Sequence, residues 1–344
     1  MKLDAIPRIP LTALPTPLDD APRLAKKIGL RKLLIKRDDC TTLAGGGNKA
    51  RKLEYLMADA VIKECDVVMT DGGPQSNHAR MTAGAVCRVG IDDCILFIGG
   101  PRFDRFQGNL LLDIVFGAQI RFMEDATVRE MEDAMASEAR SLKLHGRKPY
   151  VIPIGGATPL GALGYVQAIR ELADQLSCED KAPLIVVAVG SAGTLAGCAL
   201  GIRLFLPKAD LLGISVAGGV KTSCRIAAED ANGSAALIGV NEHFEPEDMH
   251  INDEYYGERY GVPSEAGNKA ILAAAQTEGL ILDPVYTGKA MSGLIGLAQL
   301  GKIDPDRTVV FIHTGGSPGL MAFEDQFRNQ AKFKSIDFHK RGEE

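Results

Sequence analysis

At 344 residues the chain is too long for one small core and suits a large α/β unit or two intimate lobes, which excludes a mini-protein or a peptide-binding module. Its 46% hydrophobic, 24% charged and 6% aromatic residues are those of an ordinary globular protein, with 38 glycines as the one excess. Lysine and arginine total 39 against 44 aspartates and glutamates, a net charge of -5 without a basic tail, so no nucleic-acid partner is expected.

Residues 1–10 lack the apolar stretch of a secretory signal, and the longest apolar runs fall far short of the roughly 20 residues of a membrane span. A cytoplasmic enzyme with no membrane partner is the expectation. Seven cysteines, Cys40, Cys65, Cys87, Cys94, Cys178, Cys198 and Cys224, show neither a C-x-x-C pair nor a histidine at ligand spacing. Most of them read as reduced core residues, and no metal site is expected.

In chain order, the hydrophobic period predicts strands at 67–70, 94–99, 119–124 and 151–154, separated by helices at 77–89, 108–116 and 127–144. Further strands are predicted at 184–189, 211–216, 281–285 and 308–314, again with helices between them. Residues 228–254 read as an irregular excursion with an Asn232-Gly233 turn. The alternation implies an α/β fold of two open, twisted, mostly parallel sheets with helices on both faces and a cleft between them.

Glycine clusters mark where that cleft lies. They sit at Gly45-Gly46-Gly47, Gly72-Gly73, Gly155-Gly156, within 190–194 and at Gly315-Gly316, and four of the five follow a predicted strand. Ligands of open α/β sheets bind beyond the carboxyl ends of the strands, where backbone must come close.

The turn Gly190-Ser191-Ala192-Gly193-Thr194 leads a buried strand into a helix. It fits either a plain tight connection or a phosphate cup of uncovered N–H groups and two hydroxyls at the positive end of a helix. The spacing is neither G-x-x-x-x-G-K-[ST] nor G-x-G-x-x-G, so a triphosphate or a dinucleotide lacks its usual signature and a monophosphate fits better.

Lys49 opens a helix whose apolar stripe is Leu53, Leu56, Met57 and Ala60. Arg51, Lys52, Glu54 and Asp59 are expected to point outward. Burial and the helix N-terminus both disfavour an ammonium at Lys49, which suits a Schiff-base lysine, whereas a lysine on a surface turn is the plainer alternative. Ser76 is the expected N-cap of the next helix; either it only caps, or this segment also holds a substrate carboxylate, with Ser76 or His78 exchanging a proton as a catalytic group. Tyr260 and Tyr286 fall at loop positions from which a phenol can face a cleft or lie half-buried.

Together, K-R-D-D-C from Lys36, G-G-G-N-K from Gly45, Q-S-N-H from Gln75, G-A-L-G-Y from Gly161 and G-S-A-G-T from Gly190 resemble the pyridoxal-phosphate enzymes related to tryptophan synthase β. Y-G-V-P from Tyr260, D-P-V-Y-T-G-K-A-M from Asp283 and H-T-G-G from His313 belong to the same pattern, which spans about 15–322. More narrowly, the chain is similar to the branch holding aminocyclopropane-carboxylate deaminase and D-cysteine desulfhydrase.

The resemblance implies that Lys49 carries pyridoxal 5'-phosphate and later moves the Cα proton. It also implies that Gly190, Ser191, Ala192, Gly193 and Thr194 hold the phosphate, Asn77 the ring hydroxyl and Thr314 the pyridine nitrogen. Ser76, Asn77 and His78 would bind the substrate carboxylate, with Tyr260, Tyr286 and Thr287 beside the reacting amino acid. A hydroxyl at the ring nitrogen makes a weaker electron sink, which suits β-elimination.

The deaminase pattern has Glu and Leu where this chain has Thr287 and Thr314, so β-elimination from D-cysteine leads. L-cysteate sulfo-lyase is the alternative, and the deaminase and a non-catalytic cofactor-binding protein stand behind it. By the same resemblance the chain forms a homodimer, with a large cofactor lobe from 1–52 and 161–344 and a small lobe from 53–160.

Overall fold

The computed structural model of this chain describes residues 1–180 and 182–331, so the last part of the expected lobe over 161–344 lies outside the described residues. The strands are β1 Leu18–Asp20, β2 Lys32–Lys36, β3 Val67–Gly72, β4 Asp93–Gly100, β5 Gln119–Glu124, β6 Pro149–Val151, β7 Leu184–Val189, β8 Asp210–Ser215, β9 Ile251–Asn252 and β10 Thr308–Ile312. The helices are α1 Pro22–Ile28, α2 Lys49–Ile62, α3 Asn77–Val89, α4 Gly108–Val115, α5 Val128–Leu144, α6 Pro159–Gln175, α7 Gly193–Phe205, α8 Val220–Ile238, α9 Glu265–Glu278, α10 Thr287–Gln299 and α11 Ser317–Leu320.

Two sheets form, as expected. One has six strands in the order β1-β2-β10-β7-β8-β9, the other four in the order β5-β4-β3-β6. Every pairing is parallel except that of β1 with β2. The central strands β3 and β10 are buried along their whole length, which is why their β-branched runs show no alternation. Apolar residues of α6, α7 and α8 pack on one face of the larger sheet, and those of α1, α9 and α10 on the other. None of the described helices is long and apolar enough to cross a membrane.

Three sequence expectations need correction. Residues 281–285 form no strand, because the Asp283 carboxylate accepts from the amides of Val285, Tyr286 and Thr287 at 2.9 Å each and caps α10. Pro284 offers no amide to a ladder in any case. The region 228–254 is not irregular at its start: α8 runs through Asn232 and Gly233 to Ile238. Gly233 is there for packing, since a Cβ would meet the Pro159 ring at 2.5 Å, and the Asn232 side chain pairs with the backbone of Phe244. Finally, the strand expected at 151–154 begins at Pro149 and gives way to a 3-10 turn, Ile154–Gly156, in which Gly155 has φ +65°.

A fourth correction concerns α2. It packs between α6 and α3 and has no open face along its first turns, so Arg51, Lys52 and Glu54 are all buried. Each finds partners. Arg51 bonds Asp38 and Glu171, Lys52 the carbonyl of Gly155, and Glu54 the amide of Leu11.

Candidate active site

The carboxyl ends of β3, β7 and β10 converge with the N-termini of α2, α3, α7 and α10, and the residues singled out in the sequence collect in this cleft. Lys49 is the first residue of α2. The residue before it is fixed from two sides: Asn48 donates its amide to the Thr314 carbonyl at 3.0 Å and its side-chain NH2 to the Thr194 hydroxyl at 3.1 Å. The glycine loop ahead is held as firmly. Thr41 bonds both the N–H and the C=O of Gly47, and the buried Arg80 guanidinium donates to the carbonyls of Ala44 and Gly46. Burial lowers the Lys49 ammonium to about 8.

The turn before α7 has the features of an anion site. Ala192 stands at φ +65°, and Gly193 lacks a Cβ that would lie 2.8 Å from the Lys52 ammonium. Lys52 is fully buried and bonds the Gly155 carbonyl at 3.1 Å. Burial, with the nearby Lys49 charge, holds its pKa well below the lysine range. No carboxylate bonds this amine among the described residues, and an anion held between it and the positive end of α7 would favour its charged form. Sequence reasoning missed Lys52. Its spacing of three from Lys49 on one helix was the available signal.

At the start of α3, Ser76 caps the helix by accepting from the Ala79 amide at 3.2 Å, which leaves its own proton free. Its Oγ lies 2.5 Å from where a Gly72 Cβ would be, so glycine is required there. The Asn77 Oδ1 accepts from Asn109 at 2.9 Å and Arg80 at 3.3 Å. Both partners are donors, so the Asn77 amide is oriented with its NH2 left for another acceptor. Arg80 and Asn109 are therefore supporting residues that the sequence did not reveal.

His78 is placed differently from the expectation. Thr70 spends its proton on the Ile152 carbonyl at 2.8 Å and so accepts from His78 Nε2 at 2.9 Å. Burial and the charges of Lys49 and Lys52 keep the ring neutral, which leaves Nδ1 a bare acceptor facing Gly156. Such a ring has no N–H for a carboxylate. Thr287 is likewise committed: its hydroxyl donates to the Asp283 carboxylate at 2.7 Å and accepts from the Asp283 amide at 2.8 Å.

Tyr260 and Tyr286 meet with their hydroxyls 2.5 Å apart and their rings at 66°. One edge of the pair approaches Gly73, the other Gly190. Burial pushes the Tyr260 phenol up to about 12 and Tyr286 well above its usual value, so both carry their protons at neutral pH. Beside β10, His313 accepts from the Gly315 amide at 3.2 Å and contacts the Ile281 carbonyl at 3.1 Å, which fixes the turn at Thr314.

Comparison with known proteins gives the family. Residues 9–315 match the family described as pyridoxal-phosphate dependent enzyme. The chain belongs to that family. It is 40% identical over 331 residues to a D-cysteine desulfhydrase of Salmonella newport, covering 93% of this chain and 97% of that one. A crystal structure of an ACC deaminase homologue matches with TM-score 0.88 at 39% identity, over 96% of this chain and 98% of that one. A threonine deaminase from Solanum lycopersicum matches at TM-score 0.64 and 17% identity, over 98% and 84%, and so shares the fold.

The chain is thus a pyridoxal-phosphate dependent enzyme. Its cleft fits the cofactor on its own evidence. Lys49 offers an amine that is easily freed of its proton, Lys52 and the α7 terminus match a phosphate, and the fixed NH2 of Asn77 matches a ring oxygen.

Proposed function

We propose that this enzyme eliminates hydrogen sulfide from D-cysteine, taking up one water and yielding pyruvate, ammonia and hydrogen sulfide. The observation that carries the reading is the Lys49 amine held near neutrality in the same cleft as two protonated phenols, which pairs a base with a proton source. Bound pyridoxal phosphate supplies an electron sink that acidifies the Cα–H of an amino acid.

In this reading the α7 turn at Gly190, Ser191, Ala192, Gly193 and Thr194, with Lys52, holds the phosphate. Asn77 holds the ring hydroxyl and Thr314 the pyridine nitrogen. The Ser76 hydroxyl and the free amides at the start of α3 bind the substrate carboxylate. Lys49 takes the Cα proton, and the Tyr260–Tyr286 pair stands at the leaving sulfur. The sulfur departs readily as hydrosulfide, a weak base, and needs no stronger acid than a phenol beside it. His78 and Thr287 act through what they support, Thr70 and the Asp283 cap, instead of touching substrate.

A sulfonated substrate such as L-cysteate would want a further cation. The buried Lys289 donates to the main-chain carbonyls of Arg259 and Val216, and the Arg80 guanidinium donates to those of Ala44 and Gly46 with only its Nε unpartnered, which favours the thiol. A homodimer in the cytoplasm completes the proposal, as the family resemblance implies, and light scattering measures the first of these.

The test is a panel of D- and L-amino acids assayed for pyruvate, with sulfide and sulfite measured separately. Sulfide and pyruvate from D-cysteine are expected, together with loss of turnover and of visible cofactor absorbance in Lys49→Ala. Sulfite from L-cysteate would install the alternative, and no pyruvate from any amino acid would make the chain a non-catalytic binder.

A further inference from the structure

We infer that Lys289 is a positioning residue for Tyr260, holding the loop that bears it so that the two phenols stay in hydrogen-bond contact. The inference rests on the reading that places this pair at the reacting amino acid. Lys289 lies in the first turn of α10, three residues after Tyr286, and is completely buried. Its ammonium donates to the carbonyl of Arg259, the residue directly before Tyr260, at 2.9 Å, and reaches that of Val216, just past β8, at 3.5 Å. One side chain thereby ties the helix that carries Tyr286 to the loop that carries Tyr260 and to the end of a sheet strand.

Helix stability does not account for a lysine here. A cation in the first turn opposes the helix dipole, and burying an ammonium against carbonyls alone is costly. Burial lowers this ammonium to about 8, with the Asp283 charge pulling the other way. What the position does supply is an anchor for a segment that has little of its own. Residues 253–264 contain no helix or strand, and Gly257 and Gly261, which flank Arg259 and Tyr260, both stand at φ +78°, where the chain is most pliable. The Tyr260 hydroxyl is 2.5 Å from that of Tyr286, a separation that a free loop would not keep. A displacement of about 1 Å at such a group lowers turnover about a hundredfold.

The variant is Lys289→Met, which keeps the aliphatic stem and removes the donors. Its kcat for D-cysteine is expected to fall about 10- to 100-fold while cofactor absorbance and the urea midpoint stay near wild type. A structural role would move the midpoint and the cofactor content instead.

A double-mutant cycle with Tyr260→Phe then isolates the route. If Lys289 acts through Tyr260, the double variant turns over within about twofold of Tyr260→Phe alone. If the two losses multiply, or if Tyr260→Phe is as fast as wild type, the inference is overturned. Lys289→Gln, with a shorter stem and an amide donor, goes through the same cycle should Lys289→Met not fold. One readout is independent of the substrate: in a crystal structure of the lysine variant, the phenol oxygens are expected to separate past about 3.5 Å, beyond hydrogen-bond range. A pair still in contact overturns the inference whatever the substrate. Wild-type enzyme that frees no sulfide from D-cysteine overturns the substrate reading and leaves this measurement standing.

Discussion

Lys49 is defined by what surrounds its amine. Burial brings its pKa from the ordinary 10.5 to about 8. Between these values the folded chain carries a neutral amine and the unfolded chain an ammonium, so this group makes the apoprotein more stable as pH rises through that window and costs stability below it. Reactivity follows the same titration, because only the free amine attacks an aldehyde. The rate at which apoprotein captures pyridoxal phosphate, followed by visible absorbance, is therefore expected to climb with pH and level off just above 8. A climb that continues toward 10 would place Lys49 in the ordinary lysine range. Lys49 was legible because three glycines and an asparagine precede it at a helix start. His78 and Thr287 were read as substrate ligands from their place in motifs, but their partners, Thr70 and Asp283, come from eight residues away and from the turn before the helix. No pattern in the sequence says that a hydroxyl or a ring nitrogen is already spent.

Among the elements, the loop from 41 to 48 sets the angle at which α2 enters the cleft, and two glycines separate the contributions to its shape. Gly46 stands at φ +86°, and a Cβ there would lie 2.1 Å from the Asp39 carbonyl, a backbone atom that cannot step aside. Gly29, which caps α1 at φ +80°, has nothing within 4 Å of the same position. Gly29→Ala should thus cost about 1 kcal/mol from backbone strain alone. Gly46→Ala is expected to cost more than about 3 kcal/mol and to empty the site of cofactor. Urea unfolding and visible absorbance check both, and equal losses in the two variants would mean that packing at Gly46 is unimportant. The β-branched runs of β3, β7 and β10 were readable because strands buried on both faces leave an unbroken apolar record. β1 and β2 were not, since β1 is three residues with two aspartates and β2 has only three apolar residues between Lys32 and Lys36, although each lysine finds a carboxylate, Asp180 and Glu171. At 281–285 and in α8 the apolar period and the Asn-Gly pair misled, because a capping carboxylate and a helix-packing glycine had claimed those residues.

For the molecule as a whole, we propose that 1–52 and, among the described residues, 161–331 make the large lobe and 53–160 the small one, which puts the boundary inside α2. What secures the start of α2 on the large-lobe side of it is a buried network. Arg51 donates to both oxygens of Asp38 at 2.8 and 2.9 Å and to both of Glu171 at 2.9 and 3.0 Å, while Tyr165 donates to Asp38 at 2.5 Å. The N-terminal strip, α2 and α6 are joined through one guanidinium. Burial alone would raise both carboxyls, but the Arg51 charge outweighs it, together with Lys36, and holds them below their usual values. Stability from this pairing is present above the unfolded carboxylate range near about 4 and is lost as the pH falls through the lower folded values. Arg51→Met reverses the sign at Asp38, which keeps only hydroxyl donors and is then easier to bury protonated. The variant should be less stable than wild type by about 3–5 kcal/mol at pH 7, and the gap should narrow as the pH falls toward 4. Urea midpoints of the two proteins across that range measure it. A gap that is the same at both ends would mean that Arg51 contributes packing and not charge to holding α2 against the N-terminal strip and α6.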